Sequence, residues 1–437
     1  MGIGKRIAAL KKFRLILSQE KERIVNLIHQ EVGKPIADAS YEVDDILSGI
    51  DIYIKRAKDL RNWQKLDYEK DIFPSTRFTR FRKNIGVIGA IMPWNFPFWM
   101  PMTVIVPAIL SGNPVVLKSS EYACGTGLLI EKLFGRSDFP PNSVQTIIGG
   151  PYVGSKMVEN EDIGRIFFVG STETGLNIAH QRIRNKNNHF TLEMGGNSAS
   201  IILADADLEN AVPAVFWEGC YYAGQVCSGT KRLLVQKPIY DTVKNQLLSL
   251  AKKYNESHLL TDSIGAIITK EEMTVFEYRI NQAIKAGNIL LEGGRRLSEG
   301  ELPDKYRGGN FFFITLMEIK NRNVALIQKE TFAPILPLIP FKDAEEAIKI
   351  ANETIYGLSA NVFGTDKKTL DYFKQKLEAG MLFINDSELA YPGGNYWRGV
   401  GQSYLSTGPE DKLESMFDSI ILWEKNPKTR REYWFRL

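Results

Sequence analysis

The sequence predicts an α/β protein built from two doubly wound domains. The chain has 437 residues, enough for two or three domains and an extensive core. Apolar residues make up 44% of it and charged residues 24%, as is typical of soluble globular proteins. From residue 86 onward, short apolar segments alternate with helical patterns. Such alternation with short connections indicates parallel sheets whose strands are joined by helices.

Two amphipathic helices are predicted to open the chain. Apolar residues recur at helical spacing over residues 5–32, and Gly33 and Pro35 then end the pattern. A second helical pattern follows over residues 43–60. We therefore expect a helical pair ahead of the first sheet.

Two series of short apolar segments predict the strands of the two sheets. The first series covers residues 86–92, 114–118, 143–148, 165–169 and 190–193, and the second covers 198–203, 231–236, 264–268, 311–315, 334–341 and 381–385. The boundary between them is placed near Gly195 and Gly196. Residues 78–82 and 419–423 are also strand-like, either as exposed sheet edges or as ordinary surface strands.

Residues 86–117 contain no charged side chain and are long enough to cross a bilayer. Five prolines interrupt this segment, and each would break a membrane helix and leave carbonyl groups unpaired in lipid. The segment is therefore interpreted as a strand, a loop and a short helix within a buried core.

Charge and cysteine content narrow the class of partner. Lys and Arg number 55 against 51 Asp and Glu, a net charge of +4, so neither nucleic acid nor a membrane surface is expected as a partner. The three cysteines, Cys124, Cys220 and Cys227, are too few to cross-link a chain of this length, and the N-terminus lacks the apolar core of a signal peptide. We expect a cytoplasmic protein.

Residues 224–229 (GQVCSG) place Cys227 among small, turn-forming residues, where a thiol is accessible to a cleft and can act as a nucleophile. An inert core cysteine is the alternative. None of the four histidines lies in a site-like loop, so a Cys/His hydrolase dyad stays open without support. Cys220 and Cys227 lack the spacing of metal ligands, and no metal is expected.

Two further segments resemble parts of a ligand site. Residues 191–196 (TLEMGG) place Glu193 at the end of an apolar strand before two glycines, where it is either a desolvated general base or a surface carboxylate. Residues 168–175 (FVGSTETG) have the order of strand, glycine turn and helix, so Gly170 and Ser171 either bind a pyrophosphate or simply cap the helix.

The ends of the first two predicted strands carry polar residues as well. Asn95 lies in a rigid turn at residues 93–97 (PWNFP), and its amide can donate to a developing oxyanion. Lys118 and Glu121 follow the next strand, where such groups address ribose hydroxyls. Ordinary surface placement stays open for Lys118 and Glu121.

Taken in order, these motifs resemble the aldehyde dehydrogenase superfamily, in its hydrolytic, nicotinamide-dependent form. The resemblance runs from about residue 8 to the C-terminus. It rests on residues 93–97 (PWNFP), 117–121 (LKSSE), 168–175 (FVGSTETG), 192–196 (LEMGG), 224–227 (GQVC) with Arg232, and 329–334 (KETFAP).

The resemblance implies a role for each matched residue. Cys227 is the nucleophile, Asn95 and the Cys227 backbone amide stabilise the oxyanion, and Glu193 activates water to hydrolyse the thioester. The implied cofactor contacts are Met92, Trp94, Lys118, Ser120, Glu121, Gly170, Ser171, Gly195, Glu330 and Phe332. Glu193 argues against the acylating, coenzyme A-dependent branch. A carboxylate at Glu121 favours NAD, while Lys118 and Ser120 keep NADP open.

Substrate and assembly follow from the resemblance more coarsely. Residues 93–100 are most similar to succinate-semialdehyde dehydrogenases, with glyceraldehyde or lactaldehyde as alternative substrates. The substrate tunnel is expected to be walled by aromatic residues, with Arg398 or Arg182 as the cation for a carboxylate-bearing substrate. The aromatic candidates are Trp94, Phe98, Trp99, Trp217 and Tyr221. A non-catalytic protein that keeps the fold is the other alternative.

The resemblance also implies a domain plan. A Rossmann-like NAD(P)-binding domain comprises residues 1–71 and 87–195, a catalytic domain 196–404, and a β oligomerisation arm and tail 72–86 and 415–437, in a homodimer or homotetramer. Three departures from the family are expected to matter. The usual N-terminal strand region is missing, Ala333 replaces a common glycine, and residues 392–398 match a Gly-Gly loop only loosely.

Overall fold

The computed structural model of the chain describes residues 1–58, 63–65, 76–257, 259–387, 397–409 and 411–425. Two long helices come first, α1 (Ile3–Val32) and α2 (Ile36–Ala57). Gly33 ends α1 in the left-handed region, with φ of 66°, and its N–H donates to the carbonyl of His29. Both predicted helices are confirmed, and their apolar stripes join the core that covers one face of the first sheet.

The first sheet has six strands in the order β15-β7-β6-β3-β4-β5. Its strands are β3 (Val87–Ile91), β4 (Val115–Lys118), β5 (Val144–Ile147), β6 (Ile163–Val169), β7 (His189–Glu193) and β15 (Tyr404–Ser406). The connecting helices are α3 (Trp99–Ser111), α4 (Cys124–Phe134), α5 (Pro151–Glu159) and α6 (Thr172–Arg182). Strands β3 to β7 are parallel, and β15 joins β7 antiparallel. Because β4 and β6 lie on opposite sides of β3, the strand order reverses there, and a crevice opens beyond the carboxyl ends of β3 and β6.

The second sheet has seven strands in the order β10-β11-β12-β9-β8-β13-β14. Its strands are β8 (Ala199–Ile202), β9 (Arg232–Gln236), β10 (Ile289–Glu292), β11 (Thr315–Glu318), β12 (Ile335–Phe341), β13 (Ser359–Phe363) and β14 (Met381–Ile384). Its helices are α7 (Leu208–Cys220), α8 (Tyr240–Asn255), α9 (Lys270–Lys285), α10 (Ala325–Gln328), α11 (Ala344–Asn352) and α12 (Lys367–Lys376). All neighbouring strands are parallel except β10 and β11. The predicted fold class of two parallel α/β sheets is confirmed.

Strand predictions in the second half were partly wrong. Residues 264–268 form no strand, because their backbone groups bond to loops. The N–H of Ile267, for example, donates to the carbonyl of Asn310. The strand predicted at 311–315 begins only at Thr315. β10 and β13 were missed, and β13 carries the buried polar residues Ser359 and Asn361, which weaken its apolar pattern.

A small third sheet contains β1 (Trp63–Lys65), β2 (Thr76–Asn84) and β16 (Phe417–Lys425). β2 and β16 pair antiparallel along their whole length, from Phe417 opposite Asn84 to Lys425 opposite Thr76. The two strands predicted at 78–82 and 419–423 are therefore partners of each other. The predicted domain limits stay a prediction, although β15 shows that residues 404–406 belong to the first sheet. Residues 426–437 of the predicted tail lie outside the described residues.

The uncharged segment folds as predicted into β3, α3 and β4. Helix α3 is buried almost throughout, which explains why it carries no charge. Within the described ranges, no helix has both the length and the hydrophobicity to cross a bilayer.

Candidate active site

The turn at Gly195 and Gly196 connects the two sheets, since it lies between β7 and β8. A Cβ atom built on Gly196 would lie 2.2 Å from the carbonyl oxygen of Cys227. A Cβ built on Gly195 would lie 2.2 Å from Oε2 of Glu330. Only glycine permits these approaches. The turn therefore brings the Cys227 loop and Glu330 against the chain that carries Glu193.

The loop before Cys227 is locally strained. Tyr222 and Ala223 adopt left-handed backbone conformations, with φ of 46° and 52°, and Gly224 follows with φ of 70°. The Tyr222 hydroxyl donates to the carbonyl of Val32 over 2.6 Å, which anchors the loop to the end of α1. Backbone strain of this kind persists where surrounding contacts over-determine the geometry, as often happens at functional sites.

Asn95 contacts this loop directly. Its Nδ2 donates to the carbonyl of Gln225 over 3.0 Å, and the side chain is buried. The side chain of Gln225 in turn binds the backbone of Ala266 and Ile268, over 2.9 Å each. The structure therefore brings Asn95 to the Cys227 loop and fixes both against residues 266–268.

Glu193 ends β7 and is 4% exposed, which agrees with the expected desolvated carboxylate. Its Oε1 lies 3.0 Å from Nζ of Lys412, and that nitrogen also donates to Oγ1 of Thr103 over 3.1 Å. The Oε2 atom of Glu193 is buried and has no hydrogen-bond partner within the described residues. Sequence reasoning missed Lys412, because it lies in an irregular segment far from the recognised motifs.

Glu330 lies on the other side of the turn. Its Oε1 accepts a hydrogen bond from the Gly196 N–H over 2.9 Å, and burial raises the pKa of this carboxyl. The charges of Lys231 and Arg279 both act on this carboxyl, but the Lys231 ammonium donates to the carbonyl of Gly224 and Arg279 donates to the backbone carbonyl of Glu330. Burial lowers the pKa of Lys231. The Phe332 ring lies 5.1 Å from Lys231 Nζ, measured to the ring centroid.

A cavity of about 540 Å³ occupies the crevice beyond β3 and β6. Seven of the predicted cofactor residues line it: Met92, Trp94, Lys118, Ser120, Glu121, Gly170 and Ser171. The other three, Gly195, Glu330 and Phe332, lie at the turn, where Phe332 packs edge-on against Trp94 with ring centroids 6.1 Å apart. α5 also lines the cavity with Pro151, Gly154 and Ser155, which sequence reasoning missed.

The chemistry of this cavity fits a dinucleotide. Lys118 Nζ lies 3.7 Å from a carboxylate oxygen of Glu121, so an ion pair faces one end of the cavity. Ser171 caps α6, and the first N–H groups of that helix can bind phosphate. Trp94 supplies a flat apolar surface toward the other end.

The predicted substrate residues form an aromatic wall that adjoins the Cys227 loop. The ring of Tyr221 lies 5.3 Å from that of Trp217 and 6.3 Å from that of Phe96. Trp99 lies 6.0 Å from Phe96 and 6.2 Å from Trp397, again between ring centroids. The structure thus joins Trp99, Trp217 and Tyr221 through Phe96, which follows Asn95 directly.

Two other residues assigned to this wall lie elsewhere. Phe98 is fully buried in the core beneath α2 and α3, so its ring cannot face a substrate. Trp94 packs against Tyr222 and lines the cofactor cavity instead. The expectation that Phe98 walls the substrate tunnel was wrong, whereas the same expectation for Trp94 stays a prediction.

Carboxylates of α2 lie beside the aromatic wall. Asp45 accepts a hydrogen bond from the Trp99 indole N–H, and Glu42 accepts the backbone N–H groups of Phe98 and Trp99. Burial raises the pKa of Tyr221, and the negative charges of Asp38, Glu42 and Asp45 raise it further. Three carboxylates of α2 therefore lie near this wall, together with the Lys34 ammonium, which pairs with Glu42.

Arg182 does not reach the wall. Its guanidinium is buried and donates to the backbone carbonyls of Val158, Asn160 and Ile163, which belong to the connection between α5 and β6. The proposed substrate role of Arg182 was wrong, because its donors are used inside the first half of the chain. Arg398 is exposed and follows Trp397. Residues 392–396 of the loosely matching loop lie outside the described residues.

Comparisons with known proteins agree with this arrangement. The model of the aldehyde dehydrogenase family matches residues 1–420. Lactaldehyde dehydrogenase of Methanococcus maripaludis is 33% identical over 410 residues, covering 92% of this chain and 83% of that protein. Mitochondrial succinate-semialdehyde dehydrogenase of Arabidopsis thaliana is 31% identical over 422 residues, covering 94% and 77%.

Other similar proteins differ in substrate and cofactor. The NADP(+)-dependent D-glyceraldehyde dehydrogenase of Thermoplasma acidophilum is 28% identical over 409 residues, covering 93% of this chain and 80% of that protein. A crystal structure of betaine aldehyde dehydrogenase from Staphylococcus aureus in complex with NAD+ has a TM-score of 0.91 at 28% identity, covering 100% of this chain and 85% of that one.

Proposed function

The chain belongs to the aldehyde dehydrogenase family and is an NAD(P)-dependent aldehyde dehydrogenase, and on that premise we propose that it oxidises a small aldehyde to the carboxylic acid through Cys227. The observation that carries the proposal is the turn at Gly195 and Gly196. That turn holds the Cys227 loop and Glu330 against the segment that bears Glu193.

In the first step, the thiolate of Cys227 attacks the carbonyl carbon of the aldehyde, and the carbonyl oxygen becomes an oxyanion. The Cys227 backbone N–H and the side-chain amide of Asn95 are the donors for this oxyanion. One N–H of the Asn95 amide is used by Gln225, which fixes the amide orientation and leaves the second N–H for the substrate. When bound, the nicotinamide accepts the hydride from the substrate carbon, so that Cys227 carries a thioester.

In the second step, Glu193 takes a proton from a water molecule whose oxygen attacks the thioester carbon. The C–S bond breaks, the thiolate of Cys227 is restored and the carboxylic acid leaves. The buried Oε2 of Glu193, which has no partner within the described residues, supports this role.

We propose NAD as the preferred cofactor. Lys118 and Glu121 would hold the adenosine ribose, Gly170 and Ser171 the pyrophosphate, and Glu330 and Phe332 the nicotinamide ribose and ring. Met92, Trp94, Ser120 and Gly195 complete the contact surface. The Glu121 carboxylate accepts hydrogen bonds from a free 2′-hydroxyl and repels a 2′-phosphate.

The cofactor preference is tested by kcat/KM with NAD and with NADP. We expect kcat/KM to be higher with NAD than with NADP. In Glu121→Ser the ratio of the two values should decrease, because the charge that repels the 2′-phosphate is removed. Glu161→Ser is the matched control, since it removes an exposed carboxylate that does not line the cavity. A parent enzyme that prefers NADP would contradict the assignment.

Two substrate classes compete. A semialdehyde such as succinate semialdehyde is supported by the similarity of residues 93–100 and by the Arabidopsis relative, with Arg398 as its cation. A cationic aldehyde is supported by Asp45 beside Trp99, since aromatic rings and carboxylates both attract ammonium groups. The buried cation next to this wall, Lys34, is already paired with Glu42 and is not available to a substrate carboxylate.

The decisive experiment is a panel of aldehydes with NAD and NADP, followed at the absorbance of the reduced nicotinamide. The panel includes succinate semialdehyde, betaine aldehyde, glyceraldehyde and lactaldehyde. We expect activity that Cys227→Ala abolishes and that the control variant Cys124→Ala retains. Turnover of acyl esters without any aldehyde oxidation would instead support a cysteine hydrolase. No turnover of either kind would support a non-catalytic protein.

Glu193→Gln separates the two chemical steps. We expect a normal burst of reduced cofactor, because hydride transfer does not need the base. Steady-state turnover should then fall about 100-fold or more, in the range typical of a lost general base. Equal steady-state rates in this variant and the parent would remove Glu193 from the role of base.

We further propose a homodimer or homotetramer assembled through β2 and β16. The exposed apolar residues Ile420, Ile421 and Trp423 lie on β16 and support this proposal. Light scattering on the parent and on Ile421→Lys tests this assembly, and we expect the variant to dissociate.

A cytoplasmic location is supported by the absence of any disulfide among the three cysteines.

A further inference from the structure

Lys412 is held in place by a well-anchored segment between β15 and β16. Asp411 forms an ion pair with Arg56 of α2 and accepts the backbone N–H of Leu413 over 2.8 Å. Leu413 itself is 3% exposed and packs in the core. These contacts on both sides fix the backbone of Lys412, so its side chain is directed by the fold.

The Lys412 ammonium ends in the interior beside Glu193. The two side chains are 9% and 5% exposed, and Nζ lies 3.0 Å from Oε1 of Glu193. Thr103 of α3 accepts a second hydrogen bond from the same ammonium over 3.1 Å. A buried charge is costly unless it is paired and hydrogen-bonded, and each member of this pair satisfies that condition for the other.

The contact is made by one oxygen of Glu193 only. Oε1 is bound to Lys412, whereas Oε2 is buried and has no hydrogen-bond partner within the described residues. A carboxylate held in this way has one fixed oxygen and one oxygen left to accept a proton.

We propose that Lys412 is the positioning residue for Glu193 in hydrolysis of the thioester. Its ammonium fixes Oε1, so that Oε2 takes the proton of the attacking water. The water O–H bond breaks, its oxygen bonds to the thioester carbon, and the C–S bond breaks to restore the Cys227 thiolate. Lys412 keeps its own proton throughout. The inference rests on the proposed role of Glu193 as the base.

The groups around this pair determine what happens when Lys412 is removed. The hydroxyl of Tyr53, on α2, interacts electrostatically with both Glu193 and Asp411. Burial raises the pKa of Tyr53, so this hydroxyl stays neutral. Asp411 is neutralised by Arg56. Without Lys412, no other ammonium in the described part of the chain contacts Glu193. The Glu193 carboxylate then lacks its only fixed partner there, so the orientation of Oε2 is no longer held.

The test uses an activated ester, p-nitrophenyl acetate, with no nucleotide present. The ester acylates Cys227 directly and releases p-nitrophenolate, so the later hydrolysis is followed without hydride transfer. In Lys412→Met we expect a full burst, a steady-state rate about tenfold to 100-fold lower near pH 7, and accumulation of acetylated Cys227 by mass spectrometry.

Conservative variants separate positioning from folding. Lys412→Arg keeps the charge and should retain most of the steady-state rate. Thr103→Val removes only the supporting hydroxyl and should have a smaller effect than Lys412→Met. Should Lys412→Met not fold, Lys412→Gln carries the same prediction, because it keeps a hydrogen-bond donor and removes the charge.

A double variant gives the decisive control. If Lys412 acts through Glu193, adding Lys412→Met to Glu193→Gln causes no further loss of hydrolysis. Additive losses, or a steady-state rate in Lys412→Arg as low as in Lys412→Met, would overturn the inference while leaving Glu193 as the base. Unchanged hydrolysis in Glu193→Gln alone would instead show that the proposed base role had failed.

Discussion

Glu193 and Glu330 lie on opposite sides of the Gly195-Gly196 turn, and both are carboxylates in the interior. Glu193 has the ammonium of Lys412 at 3.0 Å, whereas Glu330 accepts a backbone N–H from Gly196. Lys231 and Arg279, the cations that act on Glu330, both donate to backbone carbonyls, and burial raises the pKa of Glu330. The two glutamates thus lie in different environments. That of Glu193 suits its proposed role as a base, and that of Glu330 suits its proposed role as a hydrogen-bonding ligand for ribose.

The largest effect on activity is expected from Gly196→Ala, because the new side chain would clash with the Cys227 loop. The new Cβ would lie 2.2 Å from a backbone carbonyl, which cannot move unless the whole Cys227 loop moves. Since a misplacement of about 1 Å can cost about 100-fold in rate, we expect kcat to fall at least that far. Steady-state kinetics and the rate of Cys227 alkylation by iodoacetamide measure the change.

Gly195→Ala is the matched variant on the side of Glu330. Its Cβ would lie 2.2 Å from Oε2 of Glu330, the end of a flexible side chain that can swing away. We therefore expect KM for NAD to rise about tenfold, the value of one displaced charge-assisted hydrogen bond, with kcat changed much less. A loss of kcat as large as in Gly196→Ala would show that the two sides of the turn are not separate.

The pH dependence of cofactor binding sharpens the comparison further. Burial raises the pKa of Glu330 to about 7, so the group is protonated below that pH and charged above it. A carboxylate accepts ribose hydroxyls better than the neutral acid does, so KM for NAD should fall as the pH rises through about 7. In Glu330→Gln, KM should be higher and independent of pH over the same interval. The same pH dependence in both proteins would exclude Glu330 as its source.

The smallest effect on activity is expected from Asp38→Asn, which tests a third buried carboxylate. Burial raises the pKa of Asp38 from 3.8 to about 7, and the charge of the nearby Lys34, which is paired with Glu42, opposes this shift only in part. The folded state therefore holds a proton that the unfolded chain releases, and stability is lost as the pH rises from about 4 to about 7.

Urea unfolding at several pH values measures this effect. The parent should lose up to about 1.4 kcal/mol per pH unit across that window, whereas Asp38→Asn should lose much less and be the more stable protein at pH 7. Equal slopes in the two proteins would mean that Asp38 does not hold its proton in the folded state.

Local pattern was sufficient for the elements that begin and end on clear signals. α1 and α2 were predicted because an amphipathic stripe is visible in consecutive residues, and Gly33 marks the stop between them. Residues 264–268 were mistaken for a strand because apolar burial alone does not distinguish a strand from a buried loop. β13 was missed for the opposite reason, since Ser359 and Asn361 are polar residues that pair inside the sheet.

The candidate site divides in the same way. Asn95, Lys118 and Glu193 stand at strand ends, and parallel strands bring their carboxyl ends to one edge, so these positions were predictable from strand order. The wrong assignments of Phe98 and Arg182 concern where a side chain points, which local sequence does not show.

By itself, then, the sequence determined the α/β class, the strand-end motifs and the identity of the residues proposed for catalysis, because each depends on a few consecutive residues. Only the tertiary structure shows that Lys412 contacts Glu193, that Gly196 packs against the Cys227 carbonyl, and that carboxylates of α2 lie near Trp99 and Tyr221. These contacts join segments far apart in the chain. Their geometry depends on how whole sheets and helices pack, so the local sequence pattern does not predict it.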